Sequence, residues 1–352
     1  MGFMTMIYLG EIICLVYILF KIHSIKYIKN INNKIISWII PSIIVFAIFG
    51  LSFINVAIFT VILAHFVLFM GIGDIIFLFI NRNRENKIWK YNIYTVSFTF
   101  IYLGVSLFFG LKVFKTTYDI KTDKVNSGLR IVQISDSHIG STFDGEGLYN
   151  YIIDIAKNDI DLFVITGDFV DDDTKYDDLK KACSAFSEIK TTYGVYFVFG
   201  NHDKGYYSYR DFNTDELKNE LIKNNVKVLE DEYVEIGNDY YLIGRCDRSN
   251  KKRLSMDKLV LGLDDNRYRI LLDHQPNDFD NEKNYVDLVL SGHTHGGNIF
   301  PANFIISMLN DKLYGMKVID NTTFIVSSGI SDWRLPFNSC AIQEYVIVNI
   351  NK

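Results

Sequence analysis

The chain has 352 residues, a length suited to about two domains, and its formal charge of −5 at pH 7 hides a split. Through Lys115 ten Lys/Arg face three acids, a net +7, whereas the remainder carries 26 basic and 38 acidic residues, a net −12. A hydrophobic content of 49% excludes disorder, four cysteines exclude a disulfide scaffold, and the acidic larger part argues against nucleic acid as a partner.

In chain order, residues 1–115 are expected to form an all-α transmembrane domain. Met4 to Phe20 is apolar apart from Glu11, residues 35–80 are nearly uncharged, and 93–111 carry no charge. A crossing needs about 20 apolar residues. Dividing the long run near Phe53 to Asn55 therefore yields four spans, about 4–21, 35–53, 56–80 and 93–111. A cleaved leader fits poorly, since the first stretch lacks a basic start and three spans follow. Buried helices of a soluble domain would show a polar face, and these do not. Lys21, Lys26, Lys29 and Lys34 fill the first connection and Arg82, Arg84, Lys87 and Lys90 the third, while the amino terminus and second connection have no Lys or Arg. The positive-inside rule places both basic loops in the cytoplasm. The expectation is a multi-pass cell-membrane protein whose chain after Lys115 is extracytoplasmic, although Lys112, Lys115, Lys121 and Lys124 pull mildly the other way. Glu11, His65 and Asp74 are the ionisable exceptions within the spans. Headgroups or helix partners near span ends would satisfy them, and no partner is evident in the sequence.

Residues 116–128 are polar without apolar periodicity and read as a linker. From 129 to 352, short apolar runs alternate with helical patterns, as in an α/β domain. Strands are expected at Arg130 to Ser135, Leu162 to Thr166, Val195 to Phe199, Tyr268 to Leu272 and Val286 to Leu290. Helices are expected at Leu148 to Ala156, at Tyr176 to Ile189 and from Thr214. A hairpin pair should lie between Val226 and Ile243, with further strands at Phe324 to Ser327 and Ile342 to Val348.

The residues just beyond each of these strands carry the chemistry. The first strand runs into Asp136 and His138, the second into Gly167 and Asp168, the third into Gly200, Asn201, His202 and Asp203. The fourth runs into His274 and the fifth into Gly292, His293 and His295. Open α/β sheets bind ligands at the carboxyl ends of their strands, so five segments would deliver Asp, Asn and His to one edge, as a metal site requires. Each motif alone is weak, because Gly-Asn and Gly-Asp also make turns. Together they are not: every histidine after residue 128 stands at a strand end.

The set D-x-H, G-D, G-N-H-D, His and G-H-x-H resembles the calcineurin-like metallophosphoesterase signature from Leu129 to about Val348. The run GHTHGGN (Gly292 to Asn298) is similar to the membrane-attached bacterial branch that includes UDP-diacylglucosamine hydrolases. The resemblance implies a four-layer α/β/β/α sandwich and two divalent metal ions, Mn²⁺ first, with Fe or Zn²⁺ as alternatives suited to thiolate-free N/O ligands. It implies one ion on Asp136, His138, Asp168 and His295 and another on Asp168, Asn201, His274 and His293, with Asp168 bridging. It implies hydrolysis of a phosphomonoester or phosphodiester by metal-activated hydroxide, with His202 as general acid and Asp203 orienting its ring.

For the substrate, Arg245 and Asp247 follow a strand-like stretch, and the arginine could pair with phosphate. Asn338 stands where this branch would carry an arginine after SGISDWRLP, and Tyr206, Tyr207 and Tyr209 are assigned no role. A lipid-linked or other phosphorylated small-molecule substrate and the bilayer are the expected partners. A nuclease, disfavoured by the acidic domain, or a nucleotide phosphodiesterase is the enzymatic alternative. A non-catalytic membrane sensor or scaffold is disfavoured because no ligand position is missing.

Overall fold

The computed structural model describes residues 3–80, 88–205, 209–333 and 335–352. The expected loop cations Arg82, Arg84 and Lys87, and Tyr206, Tyr207 and Arg334, lie outside them. The chain divides into two compact units, Met1–Val105 and Ser106–Lys352.

The first unit is helical: α1 (Phe3–His23), a single turn α2 (Lys26–Lys29), α3 (Lys34–Ser52), α4 (Val56–Ile80) and most of α5 (Ile88–Leu111). Among the described residues three stretches, Lys34–Ser52, Val56–Phe79 and Asn92–Leu111, are long and apolar enough to cross a membrane, against the four expected. The predicted first span is helical in α1. Lys21 is a helix residue rather than a loop cation, and it forms an ion pair with Asp74 of α4, to which Tyr17 Oη also donates at 2.8 Å. Asp74 therefore has the partners that could not be read from the sequence. His65 is buried, its Nδ1 2.7 Å from the Val61 carbonyl and its ring stacked on Tyr102. Glu11 is fully buried.

In the second unit the first part of the segment read as a linker, 116–121, is strand. β1 (Val113–Lys121) pairs in parallel along all nine residues with the last strand. Its composition misleads because it is an edge strand with alternate residues facing water, so half its positions are polar. The remaining elements are β2 (Leu129–Ile134), α6 (Gly145–Ile155), β3 (Leu162–Thr166), α7 (Tyr176–Glu188), β4 (Val195–Val198), α8 (Thr214–Lys223), β5 (Val226–Val228), β6 (Glu232–Ile236), β7 (Tyr240–Gly244), α9 (Met256–Leu259), β8 (Tyr268–Leu272), α10 (Phe279–Glu282), β9 (Leu288–Ser291), α11 (Ala302–Ser307), β10 (Gly315–Ile319), β11 (Thr322–Val326) and β12 (Gln343–Asn351).

Two six-stranded sheets result, ordered β1-β12-β2-β3-β4-β5 and β10-β11-β9-β8-β7-β6. The expected hairpin pair divides between them: β6 and β7 form the hairpin of the second sheet, while β5 joins β4 in the first. Side chains alternate along each strand, and the core follows that period. Ile131, Leu162 and Val164 meet Leu242, Ile270, Leu272 and Leu290 between the sheets. Val132, Phe163 and Ile165 face Leu148, Ile152, Leu179 and Leu217 of α6, α7 and α8. On the far side Ile243, Leu271 and Val289 pack against Met256, Leu259 and Phe279. Three apolar interfaces mean four layers, the α/β/β/α sandwich. β2, β3 and β4 run parallel, as do β7, β8 and β9, so their carboxyl ends form two adjacent rims.

Candidate metal centre

Both rims feed one site. β2 ends into Asp136 and His138, β3 into Asp168, β4 into Asn201 and His202, β8 into His274 and β9 into His293 and His295. The chain must turn sharply to aim these side chains inward, and the backbone records it. Asp136 (φ 54°), His138 (38°), Asp168 (51°), His293 (73°) and His295 (47°) all occupy the left-handed region. For an L-residue that conformation costs about 1–2 kcal/mol each, and strain concentrated at one spot points to function. The glycines of the motifs have a steric reason. A Cβ on Gly167 would lie 2.6 Å from Gly200 N and 2.7 Å from His274 Nδ1, and one on Gly200 would collide with the Asp168 carboxylate.

The side chains gather in two clusters. Asp136, His138 and His295 present ligand atoms within 4.8 Å of one another, as do Asp168, His274 and His293. Asp168 Oδ2 stands 3.1 Å from His274 Nε2 and 3.8 Å from His138 Nε2, so it faces both groups. Asn201 Oδ1 lies 3.2 Å from His274 Nε2. His274 Nδ1 is 2.8 Å from the Thr166 carbonyl and His295 Nδ1 is 3.1 Å from that of Ser331. A carbonyl only accepts, so each Nδ1 must donate and each neutral ring keeps its Nε2 lone pair for the centre. His138 Nε2 and His295 Nε2 meet at 3.2 Å inside this buried space.

Charge gives the same answer. Burial opposes protonation of His274, yet the Asp168 carboxylate beside it holds its pKa well above the ordinary value. Burial and neighbouring imidazoles push His293 and His138 down to about 4. Buried carboxylates that draw positive charge onto His274, beside two rings that resist protonation, fit divalent cations with oxygen and nitrogen ligands. The residues present therefore suit two metal ions.

His202 stands beside the clusters with its ring at the cavity and its backbone N–H donating to Asp168 Oδ1 at 2.8 Å. Its ring is oriented by Asp171, not Asp203: Nδ1 is 3.1 Å from Asp171 Oδ1, and Trp333 Nε1 donates to the other carboxylate oxygen at 2.8 Å. Burial lowers the His202 pKa, but the Asp171 hydrogen bond and the charges of Asp168 and Asp171 outweigh it, and the net shift is upward. Asp203 has a different task. Its carboxylate accepts the backbone N–H groups of Asp168, Phe169, Val170 and Gly200 at 2.7–3.1 Å, locking the turn that carries Asp168. Asp171 is hidden in the sequence because it lies in the acidic run Asp171 to Asp173, which looks like a solvated loop.

A cavity of about 540 Å³ opens on the clusters, with His202, Arg248, Gln275 and Asn277 among its polar walls and Ile306, Leu309 and Trp333 among its apolar ones. Arg245 is not in it. Its Nη1 is buried against Asp278 (2.8 Å), Glu282 (3.0 Å) and Asp273 (3.3 Å), an ion-pair network that consumes its charge. Three residues on, Arg248 is exposed and lines the cavity instead. Asp247 acts from behind, accepting from Gln275 Nε2 and Ser249 N, both at 2.8 Å. Asn338 is buried too, donating to the His295 carbonyl and accepting from Cys340 N and Ala341 N, so it props a ligand loop.

Residues 129–297 match the family model for the calcineurin-like phosphoesterase. A Helicobacter pylori (strain ATCC 700392 / 26695) protein named "Uncharacterized metallophosphoesterase" is 28% identical over 306 residues, covering 85% of this chain and 80% of that one. A protein of the same name from Aquifex aeolicus (strain VF5) is 33% identical over 245 residues, 66% of this chain and 90% of its own length. A Bos taurus protein named "Transmembrane protein with metallophosphoesterase domain" is 29% identical over 229 residues, 60% of this chain and 50% of its own.

Proposed function

The chain belongs to the calcineurin-like phosphoesterase family and is a metal-dependent phosphoesterase, and from that premise we propose that it is a multi-pass membrane enzyme that hydrolyses a phosphate ester at the bilayer. The observation that carries this reading is the pair of ligand clusters facing Asp168, with the His202–Asp171 pair beside them in the same cavity. Asp136, His138, Asp168 and His295 would hold one ion, and Asp168, Asn201, His274 and His293 the other, Mn²⁺ being the first candidate. When bound, two such ions lower the pKa of a water between them and offset the charge of an in-line displacement.

The chain's own residues do the rest. Asp168, 3.8 Å from His138 Nε2 and 3.1 Å from His274 Nε2, would reach both clusters. Asn201 contributes a neutral oxygen, which limits negative charge where an anionic ester docks. His202, with its pKa raised by Asp171, holds a proton for the departing oxygen. Arg248 is placed to pair with a phosphate oxygen. For orientation, Lys26, Lys29 and Lys34 near α2 favour a cytoplasmic first connection and an extracytoplasmic catalytic domain.

The test is hydrolysis of bis-p-nitrophenyl phosphate by the full chain purified in detergent. Activity should appear with Mn²⁺ and vanish with a chelator, and no activity with Mn²⁺, Fe²⁺ or Zn²⁺ would sink the reading. Protease treatment of intact spheroplasts should cleave the catalytic domain if it is extracytoplasmic; complete protection would reverse the orientation.

A further inference from the structure

The cavity wall continues onto the protein surface in an unusual way. α11 and the turn after it expose Phe304 (59%), Ile305 (67%), Met308 (85%) and Leu309 (69%), and the edge strand β10 adds Met316 (46%) and Val318 (58%). Ile306 and Leu309 of the same segment line the catalytic cavity, so the apolar surface runs from solvent to within the space that holds His202. This is no loose arm. Asp311 fastens its far end, its N–H donating to the Pro276 carbonyl at 2.9 Å and its carboxylate accepting from Phe279 N at 3.0 Å. Soluble surfaces rarely keep apolar residues concentrated like this unless something covers them.

Two further facts identify the cover. Lys312 and Lys317 lie in this segment against the single acid Asp311, on a part of the chain with net charge −12. A single residue, Lys112, separates the end of α5, a candidate span, from the start of β1, so the domain follows the span directly in the chain. Apolar side chains flanked by lysines suit the anionic surface of a membrane.

We propose that the segment from Phe304 to Val318, with Lys312 and Lys317, docks on the bilayer and admits a lipid-anchored phosphate ester, its acyl chain along Ile306 and Leu309 and its phosphate at the ligand clusters. This deepens the phosphoesterase reading and rests on it. The ester's P–O bond to the leaving group breaks as a water oxygen bonds to phosphorus and gives up a proton to solvent, and His202 supplies a proton to the departing oxygen and regains one from solvent.

The full chain, reconstituted in phosphatidylcholine–phosphatidylglycerol vesicles with Mn²⁺, should cleave both soluble bis-p-nitrophenyl phosphate and membrane-embedded dioleoylglyceryl p-nitrophenyl phosphate, which share a leaving group. The double variant Ile305→Ser, Met308→Ser changes two exposed side chains outside the cavity lining. It should lose about tenfold or more on the embedded ester and stay within about twofold on the soluble one. Separately, a Met308→Trp chain should gain fluorescence quenching over wild type in vesicles of brominated lipid. Equal effects on both esters, absence of added quenching, or a wild type that cleaves only the soluble ester would overturn the docking proposal and leave the phosphoesterase reading standing. A double variant whose oligomeric mass in detergent differs from wild type, together with an unquenched Met308→Trp chain, would give the surface to a second copy and overturn it as well. No cleavage of the soluble ester by wild type would fail the underlying reading instead.

Discussion

The floor and the outer wall of the catalytic cavity are built by opposite means. The floor is buried, charged and strained, with five ligand candidates in the left-handed region and their rings and turns fixed from behind by Thr166, Ser331 and Asp203. The wall around α11 is exposed, apolar and made of one short helix and an edge strand. Rigid polar construction fixes which bond can be attacked. On the docking proposal, the apolar rim decides which molecules arrive. The reaction and the choice of substrate would then belong to different parts of one pocket and should fail separately.

Changes to the floor should cost the most. Asp168→Asn removes the carboxylate facing both clusters, and kcat/KM on bis-p-nitrophenyl phosphate should fall by about 10³-fold or more, with reduced metal content by elemental analysis. Retained metal and activity would show that Asp168 bridges nothing. His202→Ala should keep the metal content and lose about 10²–10⁴ in turnover, with the larger loss on esters of poor leaving groups. A loss independent of the leaving group would remove its acid role.

Smaller effects should come from the groups behind and beside the floor. Breaking the buried network with Arg245→Met should destabilise the domain by about 3 kcal/mol in denaturant unfolding, because Arg253 alone is then left to face Asp273, Asp278 and Glu282. KM should hardly move. Arg248→Ala should do the reverse, raising KM about tenfold at unchanged stability. If Arg245 rather than Arg248 sets KM, the placement of the phosphate contact is wrong. Asp171→Asn should slow turnover by about tenfold and shift its pH profile. His202 must be protonated to act, so activity falls as pH rises through its raised pKa; without the Asp171 charge that pKa drops, and the alkaline limb moves to lower pH. A stationary limb would mean that Asp171 does not work through His202.

The same contrast explains what is legible in the sequence. Asp136, His138, Asp168, Asn201, His274, His293 and His295 stand out because rare residue types follow apolar strands, and strand ends are visible as the point where an apolar run stops. Asp171 and Arg248 are not visible, because one is an acid within an acidic run and the other an arginine among polar residues, and only the fold turns them toward the cavity. Arg245, with the same chemistry three residues earlier, is drawn into an ion-pair network whose acids lie in one later stretch of the chain, Asp273 to Glu282. The edge strands β1 and β10 are hidden because each has one paired side and much of its length in water, β1 at alternate side chains and β10 at its three central ones.

The pairing of β1 with β12 matters to anyone wishing to free the catalytic domain from its helices. A cut before Leu129, where the polar stretch ends, would strip away all nine residues paired with β12. The long hydrophobic strand containing Val346, Ile347, Val348 and Ile350 would then offer its bare backbone to the next molecule. Such an edge is a template for aggregation. A soluble enzyme should therefore begin at Lys112, with β1 kept as the cover of its own sheet.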